Sequence, residues 1–346
     1  MKSIQAYLSV VLIAGLMLFT HMTATGQVIP SPGHPDDFLV HFSIGWENSW
    51  RGQVDAGTAA NDVSEGWDAA WLFVKYRVGG GAWQHASLNE SGHIHPAGTS
   101  LQPGLLNPAA AHRGGENPIA GFFIYRDGSG FGDFLAEGVK LSLNYSENGL
   151  RHDTPFEIRL FAVEMEYIPG LGSADGVLPF YMMKHEITQQ QFVDFLNTLP
   201  LEEQKRHTTA SPFAPEGSSA IYTDDQNCHD IQVLFPAYAM DSRTFPAEYM
   251  TSEPGETCTF ISRESAMAFL SWSGQRALSE KELEVAESWM LFRNERNKRL
   301  NKDIILSGSI DDNGLAAGYR GARSAAPAQS GQSNPSTRAQ LTPPKR

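Results

Sequence analysis

Phe38-Leu39-Val40-His41-Phe42-Ser43-Ile44-Gly45-Trp46 places an apolar side chain at every second position: Phe38, Val40, Phe42, Ile44 and Trp46. Side chains of an extended backbone point alternately to opposite faces, so this spacing predicts a half-buried β-strand. Runs of similar character recur at Ala70–Val78, Trp83–Leu88, Gly121–Arg126, Val139–Tyr145 and Phe156–Glu166. Turn clusters separate them, including Gly79-Gly80-Gly81 and Asp127-Gly128-Ser129-Gly130, and no helical period intervenes. A series of strands with no helix between them predicts an antiparallel β-sandwich over 36–166.

Upstream of this region, residues 1–26 read as a secretory signal. Lys2 precedes an apolar run from Ala6 to Phe19, and Ala24-Thr25-Gly26 supplies small residues for cleavage. The run is short for a transmembrane anchor. The mature chain is therefore expected to begin at Gln27, with 27–35 a linker, and to be secreted, periplasmic or at the cell surface. No later apolar run is long enough to cross a bilayer. The 346 residues carry 26 Lys and Arg against 39 Asp and Glu, a net charge of −13. That balance argues against a nucleic-acid partner, which needs clustered cations for the phosphates. Two cysteines exclude a disulfide-dense scaffold or a Cys-rich zinc module. Outside the cytoplasm a Cys228–Cys258 disulfide is permitted; two buried thiols are the other reading.

Three constellations in the strand-rich region invite a functional reading, each with a plainer one beside it. Trp46, Trp50, Trp71 and Trp83 can form a sugar-stacking platform or pack a core. His93 and His95 share one face of an extended segment near His85, as a metal site would require, but no carboxylate or cysteine completes the set. The oxygen-rich stretch Asp127–Asp133 suits a calcium turn or an ordinary hairpin loop, and it lacks the EF-hand spacing.

The second half changes period. Phe180-Tyr181-Met182-Met183-Lys184-His185-Glu186-Ile187-Thr188 reads as a strand entering a helix. Thr188 and Gln191 have the spacing of a capping box. Phe192, Phe195, Leu196 and Leu199 make one apolar helical face. A second helix is expected over Arg263–Trp272, N-capped by Ser262 and stopped by Gly274. A third starts at Ser279, which forms another capping box with Glu282; Leu283, Ala286 and Met290 recur at helical spacing, and Arg276 is placed to pair with Glu280.

The segment around Glu186-Ile187-Thr188 and the stretch holding Trp272, Arg276, Ser279, Glu280, Glu282, Glu284 and Ala286 resemble the formylglycine-generating enzyme, or sulfatase-modifying factor, family. Met165 through Gly170 is similar to the usual entry to such domains, and the resemblance spans about 163–290. It implies an α+β, C-type-lectin-like domain over 167–305, following the N-terminal sandwich. For complete family members it also implies a copper-dependent oxidase that converts a substrate cysteine to formylglycine, with a close cysteine pair holding copper and with calcium sites in the later part of the domain. This sequence departs there. No cysteine follows Cys258, and Cys228 and Cys258 both precede Arg276. No catalytic or metal residue carries over, and neither copper nor calcium is expected for this chain. Glu186, Thr188, Trp272, Arg276, Glu280 and Glu282 are expected to be architectural.

From Asn313 to Arg346 the chain holds five basic residues, no acidic one, and much Ser, Ala, Gly, Pro and Gln. Such composition predicts a disordered tail over 306–346, and its abrupt onset suggests a truncated or frame-shifted domain. The functional expectation is a secreted, non-catalytic binding or structural module with a secreted or cell-surface protein or glycan as partner. The alternatives are an oxidase acting on a cysteine of a secreted sulfatase, and a carbohydrate-binding protein working through the sandwich aromatics.

Overall fold

The computed structural model describes residues 23–31, 34–55, 63–105, 119–151, 155–169, 177–222, 230–296 and 320–324. The fold is mostly antiparallel β-sheet with few helices. The strands are β1 (Thr23–Ser31), β2 (His34–Asp55), β3 (Val63–Val78), β4 (Gln84–His85), β5 (Thr99–Leu105), β6 (Ile119–Arg126), β7 (Gly130–Leu143), β8 (Phe156–Ile168) and β9 (Phe180–Met183). After them come α1 (Gln189–Leu196), α2 (Leu201–His207), β10 (Ile231–Phe235), β11 (Tyr238–Met240), β12 (Arg243–Phe245) and β13 (Glu248–Thr251). The chain continues through α3 (Arg263–Trp272), β14 (Arg276–Ala277), α4 (Glu280–Arg296) and β15 (Gly321–Ser324).

The architecture turns on β3. It pairs with β8 from Asp68↔Glu166 to Val78↔Phe156. Its other edge is shared in succession by β2, β6 and β4. Ala69-Ala70-Trp71-Leu72-Phe73-Val74 is buried without a break, and this continuous apolar run is what a strand covered on both faces requires. Ala70, Leu72, Val74 and Tyr76 join a core with Val40, Phe42, Ile44 and Trp46 of β2 and with Leu141 and Leu143 of β7. Ala69, Trp71 and Phe73 face a second core with Phe192, Phe195 and Leu196 of α1 and Phe269 of α3. The β2 alternation expected from sequence is present: Val40, Phe42, Ile44 and Trp46 are each at most 4% exposed.

Several elements depart from the sequence expectations. β5 was not foreseen, because Pro103 and Gly104 disguise it; it pairs with β6 alone, an edge position where a missing N–H costs no ladder bond. Residues 23–26, expected at the end of the leader, and 27–31, expected in a linker, together form β1 and pair with β2. The expected boundary at 166/167 falls inside β8, whose last residues pair with β9, so one sheet runs across that position. Residues 321–324, expected within a disordered tail, form β15 between β9 and β14. Ala322 is fully buried there, and a Cβ at Gly321 would meet Leu270 and Gln275. Small residues let the strand enter a crowded position that composition alone does not reveal.

The helix starts follow the sequence closely. The Thr188 hydroxyl accepts from the Gln191 N–H at 3.3 Å, and Gln191 Oε1 accepts from the Thr188 N–H at 3.0 Å. Ser262 Oγ accepts from the Ser265 N–H at 3.1 Å, and Gly274, at φ +73°, ends α3. The buried face of α4 is shifted from the expected one. Val285, Ala286 and Trp289 pack with Ile168, Phe180, Met182 and Ala322, whereas Leu283 is 37% exposed.

Candidate functional site

The residues singled out in the sequence fall into separate places. Ser279 and Glu282 close the third capping box: the Ser279 N–H donates to Glu282 Oε2 at 2.9 Å, and Ser279 Oγ accepts from the Glu282 N–H at 3.3 Å. Arg276 grips the same carboxylate with two bonds of 2.8 and 2.6 Å. The carboxylate that meets Arg276 is thus that of Glu282 and not that of Glu280, which is exposed. An extended residue six positions earlier reaches the inner turn of α4, whereas Glu280 points outward from its first position. Although burial works against it, the Arg276 bond keeps Glu282 below the usual carboxylate range. Glu186 is half-buried; burial raises its carboxyl, while Arg320 and the Thr257 hydroxyl draw it down. Cys258 is fully buried and burial raises its thiol; Cys228 lies outside the described residues.

The tryptophan platform is not formed. Trp46 and Trp71 fill the two cores. Trp83 lies between the guanidiniums of Arg77 and Arg159, each 4.7 Å from its ring centroid. Trp50 packs with Trp289 around Gly66. The histidines also diverge. His93 bonds the Asn89 carbonyl at 2.8 Å and accepts from the Ser142 N–H at 3.0 Å, whereas His95 is exposed. In the Asp127–Asp133 stretch, 127–129 form the β6–β7 turn and Gly130–Asp133 begin β7. Arg51 donates to the Arg126 and Asp127 carbonyls, and Arg126 to those of Gly132 and Asp133. Guanidiniums therefore engage the carbonyls a cation would use. Among the described residues, no three His, Cys, Asp or Glu side chains gather into a metal-binding group.

A buried charge seam links the two halves. The Asp68 carboxylate accepts from Trp46 Nε1, Ser49 Oγ and the Trp50 N–H at 2.9–3.0 Å. Lys184 stands 3.6 Å from Asp68 and 3.2 Å from Glu164, and His185 is 3.3 Å from Glu164. Trp289 Nε1 donates to Glu166 at 3.1 Å. Burial raises the Asp68 carboxyl, and the Lys184 charge only partly offsets it. Each charge here meets an opposite one or a donor, as buried charges must, and the seam reads as architecture.

The place left open for chemistry lies where α1 and α3 pack on β3 and β8. A cavity of about 160 Å³ is lined by Phe73, Leu160, Phe161, Ala162, Val163, Gln191, Asp194, Phe269 and Trp272. Leu160, Phe161, Gln191, Asp194 and Trp272 are only half-buried, so the cavity opens to solvent. The helix caps set its polar groups. Gln191 is held by Thr188, and one turn further along α1 Gln190 donates to Asp194 Oδ1 at 2.9 Å. Burial pushes the Asp194 carboxyl up to about 6, against the Gln190 bond and the Arg159 charge. The indole N–H of Trp272 is buried and has no acceptor among the described residues. The Trp272 ring meets Phe73, Phe161 and Phe269 at centroid distances of 4.9–5.5 Å.

Behind this wall lies a buried base pair. Lys75 Nζ is 3.2 Å from His85 Nδ1 and 5.3 Å from the Trp272 ring centroid. His85 Nε2 sits 2.6 Å from the Ala120 carbonyl oxygen and donates to it; that bond fixes the tautomer, leaving Nδ1 to accept from Lys75. Burial lowers Lys75 to about 7, and burial with the Lys75 charge lowers His85 to about 3. Sequence reading missed Asp194, Lys75 and His85 as a neighbourhood. The available signal was a carboxylate between Phe192 and Phe195 in the apolar half of α1, and a lysine ending the apolar run of β3. No helix among the described residues is long and apolar enough to cross a membrane. No family model, no curated protein and no solved structure matches the chain.

Proposed function

We propose that this chain is an exported, non-catalytic binding or structural module, with an N-terminal β-sandwich and a sulfatase-modifying-factor-like second half. The observation that carries this reading is that the polar motif residues close on one another. Arg276, Ser279 and Glu282 hydrogen-bond one another, as do Thr188 and Gln191. A carboxylate held by a two-pronged guanidinium and by cap donors is not free to take a proton from a substrate. The full burial of Cys258, which raises its thiol, supports the same reading, because copper chemistry of the resembled kind needs two converging thiolates. The leader-like residues 1–26 support export, and a secreted or cell-surface protein or glycan is the partner class that fits it.

The test is a copper titration with a cysteine-containing sulfatase peptide, following oxygen uptake and peptide mass. No oxidation above a copper-only control is expected. Turnover by the chain overturns the module reading and makes the protein an oxidase.

A further inference from the structure

We propose that the seat of β15, between β9 and β14, is a binding slot for an extended basic segment of a partner protein, with the chain's own Arg320–Ser324 as its resident occupant. The proposal rests on the module reading in taking a protein as the partner. β9 and β14 do not pair with each other, and β15 is the strand between them. It runs antiparallel to both. Ala322, Arg323 and Ser324 pair with Met182, Tyr181 and Phe180, while Gly321 and Ala322 pair with Ala277 and Arg276. Such ladders accept any extended backbone, and side-chain pockets then choose among sequences. The pockets here are selective. A Cβ in place of Gly321 would strike Leu270 Cδ2 and Gln275 Oε1. Ala322 is fully buried in one cluster with Met182, Ala286 and Trp289. Arg323 stacks on Trp71 at 3.8 Å and donates to the Gly274 carbonyl. The charges of Glu166 and Glu186 act on Arg320. The slot therefore reads two arginines three positions apart with two small residues between them.

The resident strand fills this slot incompletely. Arg320 Nε and Nη1 and Gln275 Oε1 are buried and have no hydrogen-bond partner among the described residues. Buried polar groups in that state cost free energy, which places β15 at the less stable end of the fold, where local opening is easiest. Opening it leaves the β9 and β14 edges and the Trp71 face unoccupied together. A partner segment that also meets the unpaired groups displaces the resident strand. Charge favours a basic one, since the chain carries a net −13. A segment without the arginines forgoes the Trp71 stack and the two glutamates, and one with a side chain in the glycine position does not enter.

The experiment follows the fluorescence anisotropy of a labelled peptide of residues 319–325 titrated with the full chain. In the parent the slot is occupied and the tether favours the resident strand, so no binding is expected. Gly321→Val in the chain expels that strand and leaves the slot intact; the peptide is expected to bind this variant saturably. A peptide carrying Arg323→Ala is expected to bind it about tenfold more weakly, the effect of one lost charged contact, and a peptide carrying Gly321→Val not at all. No saturable binding to the folded variant, or equal binding of the altered peptides, overturns the proposal. If the Gly321→Val chain does not fold, the Arg323→Ala chain takes its place. Failure of both to fold makes β15 an integral strand and overturns the proposal as well. Sedimentation of the parent separates the sources of the segment. A dimer abolished by Gly321→Val assigns the slot to a second copy and overturns the partner claim, whereas a monomer supports it. The peptide-oxidation assay keeps the two readings apart. Turnover sinks the module reading and leaves the slot to be judged on peptide binding, whereas missing peptide binding without turnover sinks only the slot.

Discussion

The Arg323 guanidinium lies 3.8 Å from the centroid of the Trp71 ring. Trp71 belongs to β3 and Arg323 to β15, and both bond the same turn: Trp71 Nε1 donates to the Ser273 carbonyl at 2.8 Å, and Arg323 donates to that of Gly274. Three parts of the chain thus meet at one indole. Burial lowers the Arg323 guanidinium to about 9, and the Arg276 charge adds to the effect. Stacking on an aromatic face is a means of holding a weakly hydrated guanidinium in such a place.

The ring fits because glycines surround it. A Cβ at Gly121 would meet the Leu72 carbonyl oxygen and, at 2.7 Å, the Trp71 ring; a Cβ at Gly104 would strike the ring edge. Gly121→Ala should therefore cost about 1–3 kcal/mol through forced repacking. Gly128, with nothing within 4 Å of its would-be Cβ, should tolerate alanine within about 0.5 kcal/mol. Denaturant unfolding of both variants checks this. Equal midpoints would show that the Trp71 site relaxes freely.

The sequence exposes local rules more readily than distant ones. Thr188, Ser262 and Ser279 mark helix starts, since a cap and its N–H partner lie within one turn. The alternation at Val40–Trp46 likewise names its buried face. β15 is invisible because the burial of Ala322 depends on Met182 and Arg276, far away in the chain. The candidate site is hidden for the same reason. Asp194 and Trp272 are ordinary helix residues until α1 and α3 are laid against β8, and only then do they line one cavity.

Arg276 and Glu282 offer a direct test of which acidic residue holds the start of α4. Glu282→Ala removes both guanidinium bonds and the return bond of the capping box. Solvent screens part of this interaction, because the Arg276 side chain is 31% exposed. A loss of about 1–2 kcal/mol is expected from the cap and the charged bonds together. Glu280→Ala, at an exposed position, should stay within about 0.5 kcal/mol. Equilibrium unfolding of the two variants distinguishes them; a larger loss for Glu280→Ala would restore the pairing expected from sequence.

Lys75 and His85 make stability depend on pH in a calculable direction. Both are bases whose protonated forms burial disfavours, Lys75 falling to about 7 and His85 to about 3. The unfolded chain recovers the ordinary values and so binds more protons than the folded chain across each gap. Stability contributed by these groups therefore rises with pH. For Lys75 the rise runs from about 7 to the ordinary lysine value of 10.5. For His85 it runs from about 3 to 6.5. The charged group facing the pair from another element is Arg323, which lowers His85 further. Below about pH 7 the folded protein carries the full penalty of an ammonium held against Phe73 and Trp272 without a carboxylate. Lys75→Met keeps the length and apolar stem while removing the proton, and replacing a poorly compensated buried charge with a packed apolar group is neutral or stabilising in many proteins. Unfolding midpoints at pH 6, 7.5 and 9 should rise less steeply with pH in Lys75→Met than in the parent, with the variant the more stable at pH 6. The difference between the two chains is the quantity to read, because repulsion within a chain of net charge −13 also changes with pH and cancels in the comparison. Parallel pH profiles would show that Lys75 keeps its proton in the folded state and that the His85 contact does not depend on its loss.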